Sequence, residues 1–393
     1  MNTSEIADMQ KQFLIPTYAP QLALVKGEGT RVWDAEGNEY LDFLAGIAVL
    51  NVGHCHPNVV KAIQDQATTL MHVSNLYYNE KQPQLAKALS EKTGGGKCFF
   101  CNSGAEANEG LIKLARLWGS DKGKFEVVTM KNSFHGRTLA TLTATGQDKV
   151  QKGFYPLPEG FAYAEFNNLE SVKNAITEKT AAVLVEAVQG EGGIVPADPA
   201  FISGLRKLCD EQDILLLFDE VQAGIGRTGK WFGFQNYNVT PDAFSLAKGL
   251  GNGFPIGAVI AAPKLADVFQ PGHHATTFGG TPLACAAALA VLDTIEKEDL
   301  LANAEAMGKL LLEKLQAIAD QYDWIECARG IGLMVGLVLN DSALPLQKKL
   351  QEKGLLTLAT AVRVLRMLPP LTVTAEEVEK AAALIAEACD ELK

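Results

Sequence analysis

Residues 214–229 read ILLLFDEVQAGIGRTG. Five apolar residues, Ile214–Phe218, run without interruption and stop at Asp219. A short strand that is apolar on both faces must be covered on both faces, which points to a parallel sheet with helices packed above and below it. A carboxylate that ends such a strand is partly buried, and it is costly there unless a cation or a strong donor stands nearby. Asp219 is therefore a candidate functional residue.

The neighbouring segments follow the same pattern. Lys97–Cys101, Glu126–Met130, Ala181–Val185, Ile214–Phe218 and Ala243–Ala247 read as short strands, with helices predicted over Ala105–Trp118 and Ala200–Glu211. Alternation of this kind implies an α/β fold built on a mainly parallel sheet. Ligands of such sheets bind beyond the carboxyl ends of the strands, where Ser103, Glu186, Asp219 and Lys248 fall. The C-terminal part differs. Helical patterns at Leu300–Gln321 and Ala375–Leu392 flank apolar runs at Gly332–Val338 and Arg363–Met367, which reads as a smaller α+β domain. The expected division is an N-terminal segment, residues 1–48, packing with that small domain; a large domain, residues 49–292; and the small domain, residues 293–393.

Composition narrows the function. The 393 residues carry 35 basic and 46 acidic side chains, a net charge of −11, which disfavours nucleic acid and anionic membranes as partners. No signal-peptide pattern opens the chain, and no apolar run reaches the ~18 residues of a membrane span. Seven scattered cysteines, an odd number, suit reduced thiols in a cytoplasmic protein. Cys98 and Cys101 form a C-x-x-C, but strand alternation places them on opposite faces and no second ligand pair has zinc spacing, so no metal is expected.

Two glycine-rich stretches invite nucleotide readings and fail on context. GIGRTG, residues 224–229, matches G-x-G-x-x-G but neither follows its strand directly nor opens a convincing helix. LAKGLGNGFPIG, residues 246–257, has its lysine before the glycines and no hydroxyl after it, the reverse of a P-loop. Its glycines would leave room for a ligand beside Lys248. That lysine, desolvated at a strand end, is a candidate nucleophile. In NSGAE, Ser103 is a candidate N-cap with Glu106 completing a capping box, and the helix start at Gly104 can hold a phosphate. A phosphate site, a buried acid and a strand-end lysine at one sheet edge suit pyridoxal phosphate, which needs a lysine Schiff base and an acid at its ring nitrogen. In NSFHGRT, Phe134 could stack on that ring and Arg137 could fork a carboxylate, with His135 a structural hydrogen-bonder.

Longer motifs carry a resemblance over nearly the whole chain: YLDFLAGIAVLNVGHCHP, SNLYYNEKQPQLA, FFCNSGAEANE, SFHGRT, VEAVQGEGG, LLLFDEVQAGIGRTG, LAKGLGNGFPIGA and HHATTFGGTPLACAAA. The sequence resembles the class III, pyridoxal-phosphate-dependent aminotransferases of fold type I. The resemblance implies a seven-stranded, mainly parallel sheet and a homodimer with shared active sites. Lys248 would anchor the cofactor and carry the proton, and Asp219 would pair with the ring nitrogen. Glu220, Val221 and Gln222 would lie beside the ring, and Ser103, Gly104 and Ala105 at the phosphate. Thr277 would reach the phosphate from the neighbouring subunit.

For the substrates, the resemblance implies roles for Arg137, Thr276, Glu191, Arg366 and Tyr18. Arg366 would hold the α-carboxylate of glutamate, Glu191 would park that arginine when the other substrate binds, and Arg137 would hold the second carboxylate. The implied reaction is ping-pong transfer of an amino group from N2-acetyl-L-ornithine to 2-oxoglutarate, giving N-acetyl-L-glutamate 5-semialdehyde and L-glutamate, a step of arginine biosynthesis. Ile47 stands where ornithine-specific relatives carry a tyrosine that contacts a free α-amino group, and an apolar residue suits an acylated nitrogen. Succinylornithine, succinyl-diaminopimelate, ornithine and 4-aminobutyrate remain alternative donors.

Overall fold

The apolar runs pair into one seven-stranded sheet in the computed structural model, which describes residues 1–392. From edge to edge its strands are Lys97–Cys101, Gly257–Ala261, Ala243–Leu246, Leu215–Asp219, Thr180–Glu186, Glu126–Met130 and Phe161–Ala164. Leu215–Asp219 and Glu126–Met130 each run parallel to both neighbours. Gly257–Ala261 is reversed, antiparallel to the strand on either side. The sheet is thus mainly parallel, as its composition implied, with one reversed strand.

Burial accounts for the unbroken apolar runs. Every residue of Thr180–Glu186 and of Leu215–Asp219 is buried. Leu215 and Leu217 share a core with Leu111 and Leu114 of the helix Gly104–Gly119. Leu216 and Phe218 point the other way, into the core that holds Phe201, Ile202 and Leu205 of the helix Pro199–Glu211. Strand alternation therefore serves two covered faces, and no position is left for a polar residue until the strand ends. Register then aligns those ends: Asp219 lies opposite Glu186 on one neighbour and opposite Ser245 on the other. Lys248 follows three residues after Ser245.

The C-terminal strands form a separate antiparallel sheet in the order Ile325–Ile331, Met334–Leu339, Val364–Met367, Leu358–Thr360. The helix Ala375–Glu391 starts at a reciprocal capping box, Glu377 N–H to Thr374 Oγ1 (3.2 Å) and Thr374 N–H to Glu377 Oε2 (3.0 Å). It buries Val378, Ala381, Ala382, Ile385, Ala388 and Cys389, one stripe at helical spacing. Ile385→Ala would empty the middle of that stripe and cost about 2–5 kcal/mol. Near the N-terminus, Leu24–Glu28, Arg31–Asp34 and Glu39–Asp42 form antiparallel pairs, and Leu355–Leu356 adds a parallel fourth strand. The first residues are thus tied to the last hundred by backbone hydrogen bonds. Among the described residues, no helix is long and apolar enough to cross a membrane.

Candidate active site

A cavity of about 400 Å³ opens at the aligned strand ends. Ser103, Gly104, Ala105, Phe134, Arg137, Asp219, Val221, Gln222 and Lys248 line it, residues from four separate stretches of sequence. Glu186, Asn108 and Val49 line it as well.

Lys248 leaves its strand in a left-handed backbone conformation (φ 46°) and begins a single 3-10 turn. Burial pushes its ammonium down to about 8, while the carboxylates of Glu191, Asp219 and Glu186 draw it back up. At pH 7 roughly a tenth of such amines are neutral, against well under one in a thousand for an ordinary lysine. The glycines that follow have a different role from the one expected. A Cβ at Gly249 would collide with the Asn51 amide, and one at Gly251 with the Phe254 carbonyl. They admit close-packed protein, and Gly253 alone of the three faces the cavity.

Asp219 is 4% exposed and held by three donors. Its Oδ2 accepts from Asn108 Nδ2 (2.7 Å) and from His135 Nδ1 (2.7 Å), and its Oδ1 accepts from Val221 N–H (2.9 Å). Ser245 Oγ donates to Asn108 Oδ1 (2.7 Å), which fixes the amide so that its N–H groups face Asp219 and the His135 carbonyl. A carboxylate accepts, so Nδ1 carries the His135 proton and the ring is the structural hydrogen-bonder that was expected. Asn108 and Ser245 were missed; the signal was a lone amide on an otherwise apolar helix face. Glu186, 6% exposed, is pushed well above the usual carboxylate range by burial and by Asp219 beside it.

At the other end of the cavity Ser103 caps the helix Gly104–Gly119, its Oγ accepting from Glu106 N–H (3.2 Å). The expected capping box does not close. Glu106 turns back to Asn102, accepting its backbone N–H (2.5 Å) and its Nδ2–H (3.0 Å). The first intrahelical bond runs from Ala107 N–H to Ser103 O (3.0 Å), so the N–H groups of Gly104 and Ala105 stay free by helix geometry. A Cβ at Gly104 would lie 2.7 Å from Val221 Cγ1, which explains a glycine where the helix meets the cavity wall. Thr276 sits nearby, its Oγ1 accepting from Gly279 N–H (3.1 Å) and facing Asn102 Nδ2 (3.4 Å).

Arg366 and Glu191 adjoin the lysine end. The Arg366 side chain has no exposed surface, and its Nη1 donates to Glu191 Oε1 (2.5 Å) and Gln222 Oε1 (3.4 Å). Among the described residues its Nε and Nη2 have no partner, leaving an unused planar fork inside the protein. Arg137, at the exposed rim, stacks its guanidinium over Phe134, 5.1 Å from the ring centroid. The cavity wall includes Val49, which follows a left-handed turn with positive φ at Ala45, Gly46, Ile47 and Ala48. Each non-glycine residue held this way costs roughly 1–2 kcal/mol. Asp42 helps impose the turn, accepting the N–H groups of Leu44 (2.9 Å) and Ala45 (3.0 Å).

Three expected site residues lie elsewhere. Glu220 points away from the cavity: its two oxygens accept the N–H groups of Gly233 (2.6 Å) and Phe234 (2.9 Å), and burial pushes its carboxyl up to about 8. Strand alternation sends it opposite to Asp219. Tyr18 is 85% exposed, beside Ile15 and Pro16 near the N-terminal helix, and Thr277 is exposed outside the cavity.

The residues present suit pyridoxal phosphate. A poorly hydrated amine, a buried carboxylate, a free helix N-terminus and an aromatic face stand around one cavity, each opposite a different part of that molecule. Comparisons with known proteins agree. The profile of the family described as aminotransferase class-III matches residues 16–389. An acetylornithine aminotransferase of Caldanaerobacter subterraneus subsp. tengcongensis is 52% identical over 389 residues, covering 98% of this chain and 99% of that protein. The crystal structure of an ornithine aminotransferase from Toxoplasma gondii ME49 superposes with a TM-score of 0.96 at 32% identity, covering 100% of this chain and 97% of the other. That of an acetylornithine aminotransferase from Elizabethkingia anophelis gives 0.89 at 32% identity and full coverage of both. This chain belongs to the class III aminotransferases, a family that depends on pyridoxal phosphate.

Proposed function

We propose that the protein transfers the terminal amino group of N2-acetyl-L-ornithine to 2-oxoglutarate, with pyridoxal phosphate as its cofactor. The observation that carries the reading is Arg366: a sealed guanidinium, paired with Glu191 yet keeping Nε and Nη2 unpartnered, within reach of Gln222. Full-length identity to the acetylornithine aminotransferase above supports the choice of donor, and so does an apolar residue, Ile47, in the turn that precedes Val49.

Bound here, the cofactor supplies an aldehyde carbon that captures amines and a ring that delocalises the electron pair of a broken C–H bond. Lys248 would hold it, and its amine, in the neutral form, would take the proton from the substrate carbon and deliver it again. Asp219, oriented by His135 and Asn108, holds a proton at the ring nitrogen. The N–H groups of Gly104 and Ala105, with Ser103, hold the phosphate, and Phe134 packs on the ring. For the donor, Glu191 keeps Arg366 occupied, while Arg137 takes the α-carboxylate. For 2-oxoglutarate, Arg366 leaves Glu191 and forks the α-carboxylate, and Arg137 takes the distal one.

The reading extends to assembly. Leu76, Tyr77, Tyr78 and Phe278 are all more than 60% exposed beside Thr276 and Thr277, more apolar surface than a monomer leaves uncovered. A second copy covering it would make a homodimer and carry Thr277 toward the other subunit's phosphate site. We place the enzyme in the cytoplasm, consistent with the odd number of scattered cysteines, seven, in its sequence. We also divide the chain into residues 1–48, 49–292 and 293–393, the first packing with the last through the pairing of Glu39–Asp42 with Leu355–Leu356. The test is a donor panel with 2-oxoglutarate as acceptor: N-acetylornithine should outpace ornithine, succinylornithine, succinyl-diaminopimelate and 4-aminobutyrate. Faster turnover of free ornithine than of N-acetylornithine overturns this choice.

A further inference from the structure

Arg227 is as deeply sealed as Arg366, with no exposed surface, and among the described residues it pairs with no carboxylate. Its Nη1 donates to the carbonyls of Leu333 (3.1 Å) and Pro369, and its Nη2 to Asn51 Oδ1 (2.7 Å). Leu333 N–H returns to the Arg227 carbonyl (3.0 Å). Asn51 extends the set: its Nδ2 donates to Ile225 O (2.7 Å), and its own carbonyl accepts from Leu371 N–H (2.7 Å). The same Asn51 amide presses on Gly249, where any Cβ would collide with it.

These contacts join three stretches that the chemistry uses. Gly249 is the residue after Lys248. Pro369 lies three residues past Arg366, on the segment leaving the strand Val364–Met367. Asn51 follows the left-handed turn and Val49, which form a wall of the cavity. Among the described residues no strand pairing connects these stretches, since Lys248 follows a strand of the large sheet and Arg366 lies in the C-terminal one. A guanidinium suits the junction because its planar fork donates several N–H groups in fixed directions to converging carbonyls, which a lysine cannot match. Burial lowers it to about 9, so it still carries its charge at neutral pH.

We propose that Arg227 and Asn51 form a positioning clamp that sets the placement of Arg366 relative to Lys248, and thereby the enzyme's selectivity for a dicarboxylate acceptor. The proposal rests on the reading above, in which Arg366 grips 2-oxoglutarate. The donor does not use Arg366, so loosening the clamp weakens one substrate and spares the other.

The test uses holoenzyme carrying Arg227→Lys, which keeps the charge and loses the fork, and Asn51→Ala, which trims the clamp without removing a buried cation. Each should raise KM for 2-oxoglutarate about tenfold while KM for N-acetylornithine stays within about twofold and the cofactor absorbance is retained. Asn51→Ala carries the test should Arg227→Lys fail to fold. Wild-type enzyme that does not transaminate 2-oxoglutarate overturns the functional reading. Wild-type enzyme that does, with variants whose two KM values stay unchanged or rise together, overturns the clamp.

Discussion

Two guanidinium groups are sealed from solvent in this fold, and their surroundings are opposites. Among the described residues Arg366 faces one carboxylate and leaves both Nε and Nη2 unpartnered; Arg227 faces no carboxylate, spends its Nη donors on two carbonyls and an amide, and leaves only Nε over. A buried cation with a single movable partner can exchange that partner for a ligand. One bound to two backbone carbonyls and a side-chain amide on three segments cannot let go without loosening them. The contrast separates a residue that recognises from one that positions, though burial alone rates them equal.

That contrast can be broken by mutation. Arg366→Ala should lower kcat/KM for 2-oxoglutarate about 100-fold, since truncating one member of a buried charged hydrogen-bonded pair costs about 2–5 kcal/mol. The N-acetylornithine half-reaction should fall less than about tenfold, and equal losses in both would dissolve the distinction. Stability should show the reverse order. Arg227→Met strands buried acceptors at Leu333, Pro369 and Asn51, each lost bond costing about 1–3 kcal/mol. Urea unfolding should therefore place Arg227→Met about 3 kcal/mol or more below wild type, and well below Arg366→Met in a Glu191→Gln background. A milder probe is Glu191→Gln alone: it frees Arg366, so the donor half-reaction should fall about tenfold and the acceptor half-reaction less. Stopped-flow traces of the separate half-reactions would read this directly.

Lys248 gives a pH signature of its own. Its amine titrates near 8, and only the neutral form attacks an aldehyde, so protonation below 8 slows capture. Cofactor-free protein should take up pyridoxal phosphate about tenfold faster at pH 9 than at pH 7, followed by absorbance. A flat profile across that range would place the lysine in a wetter setting than the cavity provides.

How far the sequence discloses all this depends on what each signal is made of. Lys97–Cys101 and Glu126–Met130 were legible to the residue, because both are short runs of apolar and strand-favouring side chains bounded by turn residues. Gly257–Ala261 was not, because its small residues read as part of the glycine-rich turn, and reversal of a strand leaves no mark in composition. The edge strand Phe161–Ala164, four residues of which three are only partly buried, was not read as a strand. At the site, the strand-end acids and Lys248 were visible because an apolar run makes any polar residue at its end conspicuous. Glu220 was misjudged by following the motif rather than the alternation that turns it away from Asp219. Arg227 was read only as a letter in a failed dinucleotide pattern; its partners come from more than 100 residues away, and no local signal carries them.

Lys248 itself has a consequence of another kind. Its positive φ is a backbone state in which a side chain is a liability and glycine is at ease. The protein therefore holds its reactive amine against its own conformational preference. An inactive Lys248→Gly variant should melt a few degrees above an equally inactive Lys248→Ala, a gap of about 1 kcal/mol. If so, thermostability selection without a requirement for turnover would erode this position, and a stabilised library would need an activity screen to keep the enzyme an enzyme.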